Sequence, residues 1–273
     1  MTEETSQEDI SAPVPEETVS EKTAAHREKT TLSEYMESLL VTVILALFGT
    51  SFIVQAFKIP SPSMEKTLLV GDHLLVNKFV FGGRGNAWYE KLLPYRPLQR
   101  GDIIVFKYPY DDHQHFVKRV IGLPGDHLKM VDQDVYINGK ILREPYVVHD
   151  SGVQYDILNY QFPPVGNQFL GSPARPEWMK EMRKYVQGDE LIVPPEKYFA
   201  MGDNRDRSSD SRYWGFVDRD AIMGRPFLIY WSVEATSEDY AQSTFMQRLA
   251  GILDTLMHLP ARTRWSRMLR TVH

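Results

Sequence analysis

Two serines, Ser61 and Ser63, precede Met64 in the stretch IPSPSMEKTLLVGDHLLVNKF, and a lysine, Lys118, stands inside HFVKRVIGLPGD. The chain has no cysteine, which excludes thiol nucleophiles, disulfides and zinc–thiolate sites. Covalent catalysis would therefore fall to a serine, threonine, lysine or carboxylate activated by a neighbour. Lys118 is flanked by Phe116, Val117, Val120 and Ile121. Successive side chains of a strand point to opposite faces, so Lys118 and Arg119 cannot share one. A lysine facing apolar surroundings loses stabilisation of its charge and its pKa falls, which makes a neutral amine available as a general base near neutral pH. Arginine cannot be deprotonated in this way. Taken alone, a Lys-Arg pair in a strand is accounted for by solvation or ion pairing, because lysines are rarely buried.

Other candidate chemistry is thinner. The eight histidines sit in no recognisable context and there is no G-x-S-x-G elbow, although a histidine-dependent triad stays conceivable. The run Asp111-Asp112-His113-Gln114-His115 invites a metal reading, but it lacks further ligands at standard spacing and reads as a hydrated loop between strands. The stretch GDNRDRSSDS has the outline of a calcium loop and fails it, with Arg205 at the third position and Ser208 where the glycine belongs. A net charge of -5 gives no electrostatic reason to expect nucleic acid as a partner.

The elements that must position these residues follow from patterning. Residues 1–33 carry eight acidic and three basic side chains among Pro, Ser and Thr, the composition of a disordered tail. The next twenty-residue run, Ser38 to Phe57 (SLLVTVILALFGTSFIVQAF), has no charge and is predicted as a transmembrane helix, long enough to cross roughly 30 Å of hydrocarbon. It is too long for a signal peptide and no A-x-A site follows. Lys22, Arg27 and Lys29 before it, against Lys58 and Lys66 after it, give a slight bias that favours an N-terminus in the cytoplasm. The run leaves about 215 residues, 59–273, for one domain. That domain reads as mainly β, from seven runs rich in Val, Ile, Phe and Tyr: HLLVNKFVF, DIIVFKYP, HFVKRVIGL, DVYINGKIL, DELIVPP, KYFAMGD and RPFLIYWSV. Asn138-Gly139 signals a type I′ hairpin. Gly82–Gln99 reads as a loop, and Asp150–Gly188 as a long irregular insertion in which Pro176 opens a short helix.

Four stretches, PSPSMEKTLLVGDHLLV, RGDIIVFKYP, FVKRVIGLPGD and GDNRDRSSDSRYWGFV, occur in this order after the apolar run. Together they resemble the sequence boxes of bacterial type I signal peptidases, from roughly Glu37 to Ser232, and the closing LPARTRWSRMLRTVH is similar to that family's C-terminal strand. The resemblance implies a signal-peptidase-type β fold behind a single-pass anchor in the bacterial cell membrane, with the catalytic domain on the outer face. It implies a serine endopeptidase that acts without metal or cofactor, as a monomer, removing signal peptides from preproteins after small residues of A-x-A type.

Residue by residue, the resemblance makes Ser63 the nucleophile and Lys118 its general base. Ser61 is the hydroxyl that joins the Ser63 N–H in the oxyanion hole. Ser208 becomes the residue that hydrogen-bonds and orients the base. Asp203, Asp210, Arg212 and Arg119 become structural charges, with Asp203 near Arg119. Ile59, Met64, Leu68 and Val117 become the lining of the pocket for the residue before the cut. Two positions depart from the pattern. Pro62 separates the serines where the family often has a small or acidic residue, and Lys66 stands where it commonly has proline. Two rivals stand beside this reading: a Ser-Lys protease that cuts itself or one dedicated partner, which the anchor disfavours, and a catalytically silent membrane-tethered scaffold, which the complete set Ser61, Ser63, Lys118 and Ser208 disfavours.

Overall fold

The computed structural model describes residues 31–49, 53–81, 95–150, 152, 156–166, 171–241 and 259–273. The tail over 1–30 and most of the loop expected over 82–99 lie outside them. Contacts divide the chain into two units, Met1–Ile44 and Leu45–His273. Helix α1, Thr31–Phe48, has a mean hydropathy of 1.5, no buried residue, and enough length and apolarity to cross a membrane. Its 18 residues rise about 27 Å. The helix expected over 38–57 is thus displaced. It begins within the segment assigned to the tail, with Glu34 in a first turn whose free N–H groups favour an acid. At the other end Val54–Phe57 lies in a strand, because its backbone groups find partners in the next strand, from Val54↔Asn77 to Lys58↔His73. An uncharged apolar run serves helix and buried strand alike, so composition does not mark the point of exchange.

The strands are β1 (Val54–Lys58), β2 (Asp72–Asn77), β3 (Ile103–Tyr108), β4 (Asp111–Gly122), β5 (His127–Val131), β6 (Asp134–Ile137), β7 (Lys140–Ile141), β8 (Gln161–Phe162), β9 (Val186–Gln187), β10 (Glu190–Ile192), β11 (Lys197–Met201), β12 (Val217–Asp218), β13 (Ile222–Ser232) and β14 (Arg270–Thr271). Two sheets form. The larger runs β1-β2-β13-β3-β4-β11-β12 with β14 beside β13, and the smaller runs β7-β6-β5-β10-β9 with β8 beside β5. Every ladder pair in both is antiparallel. The protein is mainly β, and each of the seven expected runs contains a strand. The Asn138-Gly139 turn joins β6 to β7 with φ of 53° and 76°, both left-handed as a type I′ turn requires.

Alternation does the packing. In β2 the side chains of Asp72, Leu74 and Val76 are buried while His73, Leu75 and Asn77 are half-buried, and each buried aliphatic contributes about 2 kcal/mol. Leu74 joins Ile59, Met64, Leu68, Ile103, Ile229 and Val272 in a small core under the Ser63 turn. The larger core holds Phe106, Val120, Ile121, Phe199 and Trp214. The insertion expected to be irregular also enters it. Helix α2, Pro176–Met182, opens with its proline in the first turn and buries Trp178, Met179 and Met182, and Leu158 and Phe162 join them. The short helix expected at Pro176 is thus present as α2, whereas Leu158 and Phe162 lack strand alternation and so read as loop.

Candidate active site

The turn that carries Ser63 is built by its local sequence. Ser61 is extended, Pro62 opens a single 3₁₀ turn over Pro62–Met64, and the Glu65 N–H closes it on the Pro62 carbonyl at 3.0 Å. Proline fits there because the first position of such a turn needs φ near −65° and no donor. Glu65 (φ −53°, ψ 150°) and Lys66 (φ 78°) then make a type II turn closed by Thr67 N–H to Met64 O at 3.1 Å. Lys66 is therefore a non-glycine residue in the left-handed region, where a proline could not stand.

β4 brings Lys118 to this turn. Its Nζ lies 2.7 Å from Ser63 Oγ, and Ser61 Oγ lies 3.3 Å from the same oxygen. Lys118 is buried, 4% exposed, and its amine stands 5.5 Å from the Phe116 ring centre. Burial pushes its pKa down to about 8, against the opposing pull of the Asp210 and Asp203 carboxylates. Neither carboxylate is free to take the amine as partner. Asp203 receives Arg119 in a two-pronged bond, Nε to Oδ1 at 2.8 Å and Nη2 to Oδ2 at 2.7 Å, and also accepts from Thr67 Oγ1 at 2.5 Å. Asp210 receives Arg212 Nε and Nη2, both at 2.9 Å, and the Gly202 N–H at 3.1 Å. Burial raises the Asp210 carboxyl, but the Arg212 charge and these bonds outweigh it and hold the group below the usual carboxylate range. Asp210 also caps helix α3, Ser211–Trp214, by accepting the Arg212 N–H.

The structure brings most of the expected residues together. Ile59, Met64 and Leu68 are buried beneath the nucleophile turn, and Val117 packs half-buried against their cluster. Ser208 differs from its expected bonding: its Oγ is buried and makes no hydrogen bond to Lys118, and its hydroxyl faces the Asp210 carboxylate instead, helping to hold that group low. Three further contributors lie inside the quoted sequence boxes, where nothing singled them out. Thr67 links the nucleophile turn to Asp203. Asn204 donates its N–H to the Ser63 carbonyl at 3.2 Å. Gly202 has to lack a side chain, because a Cβ there would collide with the Ser63 carbonyl oxygen and with Ser208. The GDN run hints at a tight turn, but only the packed partner makes the glycine obligatory. Among the described residues no cluster of His, Asp and Glu is arranged to hold a metal ion.

A mainly antiparallel β fold that sets a serine hydroxyl against a buried lysine amine has the parts of a serine-type hydrolase. The comparisons agree. Residues 32–231 match the family described as Signal peptidase, peptidase S26. The signal peptidase I of Pseudomonas aeruginosa is 38% identical over 214 residues, covering 74% of this chain and 73% of that protein. That of Pseudomonas fluorescens is 37% identical with the same coverage, and that of Aquifex aeolicus is 34% identical over 228 residues, covering 73% of this chain and 84% of its own. The chain belongs to the signal peptidase family, and is a serine-type signal peptidase.

Proposed function

We propose that this protein is a membrane-anchored endopeptidase that cleaves signal peptides from preproteins after small residues, with Ser63 as nucleophile and Lys118 as general base. The observation that carries the reading is the 2.7 Å approach of a buried amine to a serine hydroxyl, with both nearby carboxylates already held by arginines. As a neutral amine, Lys118 accepts the Ser63 proton while Oγ attacks the scissile carbonyl. The resulting ammonium returns the proton to the leaving amine, and the acyl-enzyme forms. A water then surrenders a proton to Lys118 and hydrolyses the ester. The Ser63 N–H and the Ser61 hydroxyl are the donors for the developing oxyanion. Ser208 acts on the base indirectly, through the Asp210 carboxylate its hydroxyl faces, and Asp203, Asp210, Arg119 and Arg212 hold the loops in place.

Substrate would enter as a strand. β1 ends the larger sheet on one side, and β4 pairs with β11 only from Arg119 onward, so each presents an unpaired edge among the described residues. The Phe57 ring meets the His115 ring at 5.6 Å, which brings these two edges close to one another. Ile59, Met64, Leu68 and Val117 give that cleft an apolar floor suited to small side chains. α1 is the proposed single-pass anchor in the bacterial cell membrane, with the catalytic domain on the outer face beside the interfacial cleavage sites of its substrates, and the enzyme working as a monomer.

The test is cleavage in trans of a purified preprotein bearing an A-x-A site. Wild type is expected to cut after that site. Ser63→Ala should lose several orders of magnitude in rate while remaining folded, and Ser61→Ala about 10²–10³-fold, as for loss of one oxyanion donor. Cleavage by Ser63→Ala at more than a small percentage of the wild-type rate removes the nucleophile assignment.

A further inference from the structure

The residues that follow β7 belong to none of the roles assigned above, yet they touch every carrier of the site. Tyr146 covers the Arg119 guanidinium, ring centre to Cζ 3.9 Å, on the strand that bears Lys118. The carbonyl of Pro145 accepts Lys66 Nζ at 2.9 Å, on the turn that follows Ser63. Val148 pairs with the loop that leads to Ser208: its N–H donates to the Asp203 carbonyl at 2.9 Å, and its own carbonyl accepts the Arg205 N–H at 3.0 Å. Asn204, between those two, turns its N–H the other way to the Ser63 carbonyl. The loop is therefore held between the nucleophile on one side and Val148 on the other.

Side chains reinforce this pairing. Arg205, 1% exposed, pairs with Glu144, which also accepts the Tyr146 hydroxyl at 2.9 Å. The Asp150 N–H donates to Asp206 at 2.7 Å, and the Asp150 carboxylate meets Arg207 at 2.6 Å. We infer that residues 144–150, at the entrance to the long insertion, are a clasp that holds the nucleophile turn, β4 and the Asp203–Ser208 loop in mutual register, with Tyr146 as a positioning residue for the reaction. The inference rests on the Ser63/Lys118 reading of the site.

The physical case is one of tolerance. A misplacement of about 1 Å between reacting groups costs on the order of 10²-fold in rate, and the three carriers come from distant parts of the chain. Arg119–Asp203 is a buried ion pair, 5% and 1% exposed at the side chains, whose geometry depends on keeping water out. The Tyr146 ring is what lies over the guanidinium face, and a desolvated cation is attracted to such a ring.

Full-length Tyr146→Leu and Tyr146→Phe, purified in detergent, would be assayed on the same A-x-A preprotein with kcat and KM separated. Tyr146→Leu is expected to lower kcat by about 10-fold or more with KM within 2-fold, because the residue lies behind the charged pair and away from the substrate strand. Tyr146→Phe keeps the ring over Arg119 and should retain at least half of kcat. Lys66→Met, at an exposed position, should lower kcat about 3-fold with KM unmoved, and decides the matter if Tyr146→Leu does not fold. A Tyr146→Leu kcat within 2-fold of wild type overturns the clasp, as does a loss confined to KM, a Phe variant as impaired as the Leu variant, or an unimpaired Lys66→Met. Ser63→Ala in the same assay separates the two failures. If it stays active the dyad reading falls, and if it is inactive while Tyr146→Leu is not, only the clasp does.

Discussion

Lys118 and Arg119 are adjacent on β4 and equally buried, each 4% exposed, yet the fold treats them in opposite ways. Arg119 is given a full set of acceptors: both oxygens of Asp203, the Gly101 carbonyl at 2.8 Å and the Thr67 hydroxyl at 3.4 Å. Lys118 has a hydroxyl at 2.7 Å and an aromatic face. A buried charge that is paired stays charged, whereas a buried amine without a carboxylate gives up its proton instead. The same strand thus holds a guanidinium that fastens two loops together and an amine whose pKa burial brings down to about 8. Alternation separates the two environments by a single residue.

The comparison breaks most severely if Lys118 is made to resemble its neighbour. Lys118→Arg keeps length and charge but cannot supply a neutral base, so single-turnover cleavage should fall by several orders of magnitude. Substantial residual activity would mean that the position needs only a cation. Next in size is the other half of the comparison. Asp203→Asn leaves Arg119 buried without its countercharge and should cost about 3–5 kcal/mol of unfolding free energy, read from denaturant midpoints. An unchanged midpoint would show that Arg119 is held by Gly101 and Thr67 alone.

A smaller effect sharpens the contrast through pH. With Lys118 lowered to about 8 by burial, wild-type kcat/KM should rise about 10-fold per pH unit below that value and level off above it. A rate that is flat between about pH 6 and 10 would exclude Lys118 as the base and return attention to the histidines. The smallest expected effect is on stability. The folded pKa of Lys118 lies below its ordinary 10.5, so between about pH 8 and 10.5 the unfolded chain binds the extra proton and stability rises with pH. Lys118→Met removes the buried amine and should melt a few degrees higher than wild type below pH 8, with the gap closing as the pH approaches 10.5. A gap that widens with rising pH would contradict a depressed lysine.

Much of this protein was decided locally. Alternating β-branched and aromatic residues made strands of all seven predicted runs, Asn138-Gly139 made its hairpin, and Pro62 and Pro176 opened the turns where their fixed φ belongs. Four ordered sequence boxes carried the family and nominated Ser63 and Lys118, although 55 residues separate them. Local pattern could not place the end of α1, because Val54–Phe57 is apolar enough for helix and became strand only by pairing with β2. Nor could it put Trp178, Met179 and Met182 of the insertion into the core. At the site, periodicity required Lys118 and Arg119 to face opposite ways but did not say which would meet a carboxylate. That choice belongs to Asp203, just beyond the end of β11, which pairs with β4 and brings the carboxylate to Arg119 from 84 residues away. Thr67, Gly202, Asn204 and Tyr146 matter for the same reason. Their chemistry is ordinary in isolation, and each acquires its role only from the atom that the folded chain sets against it.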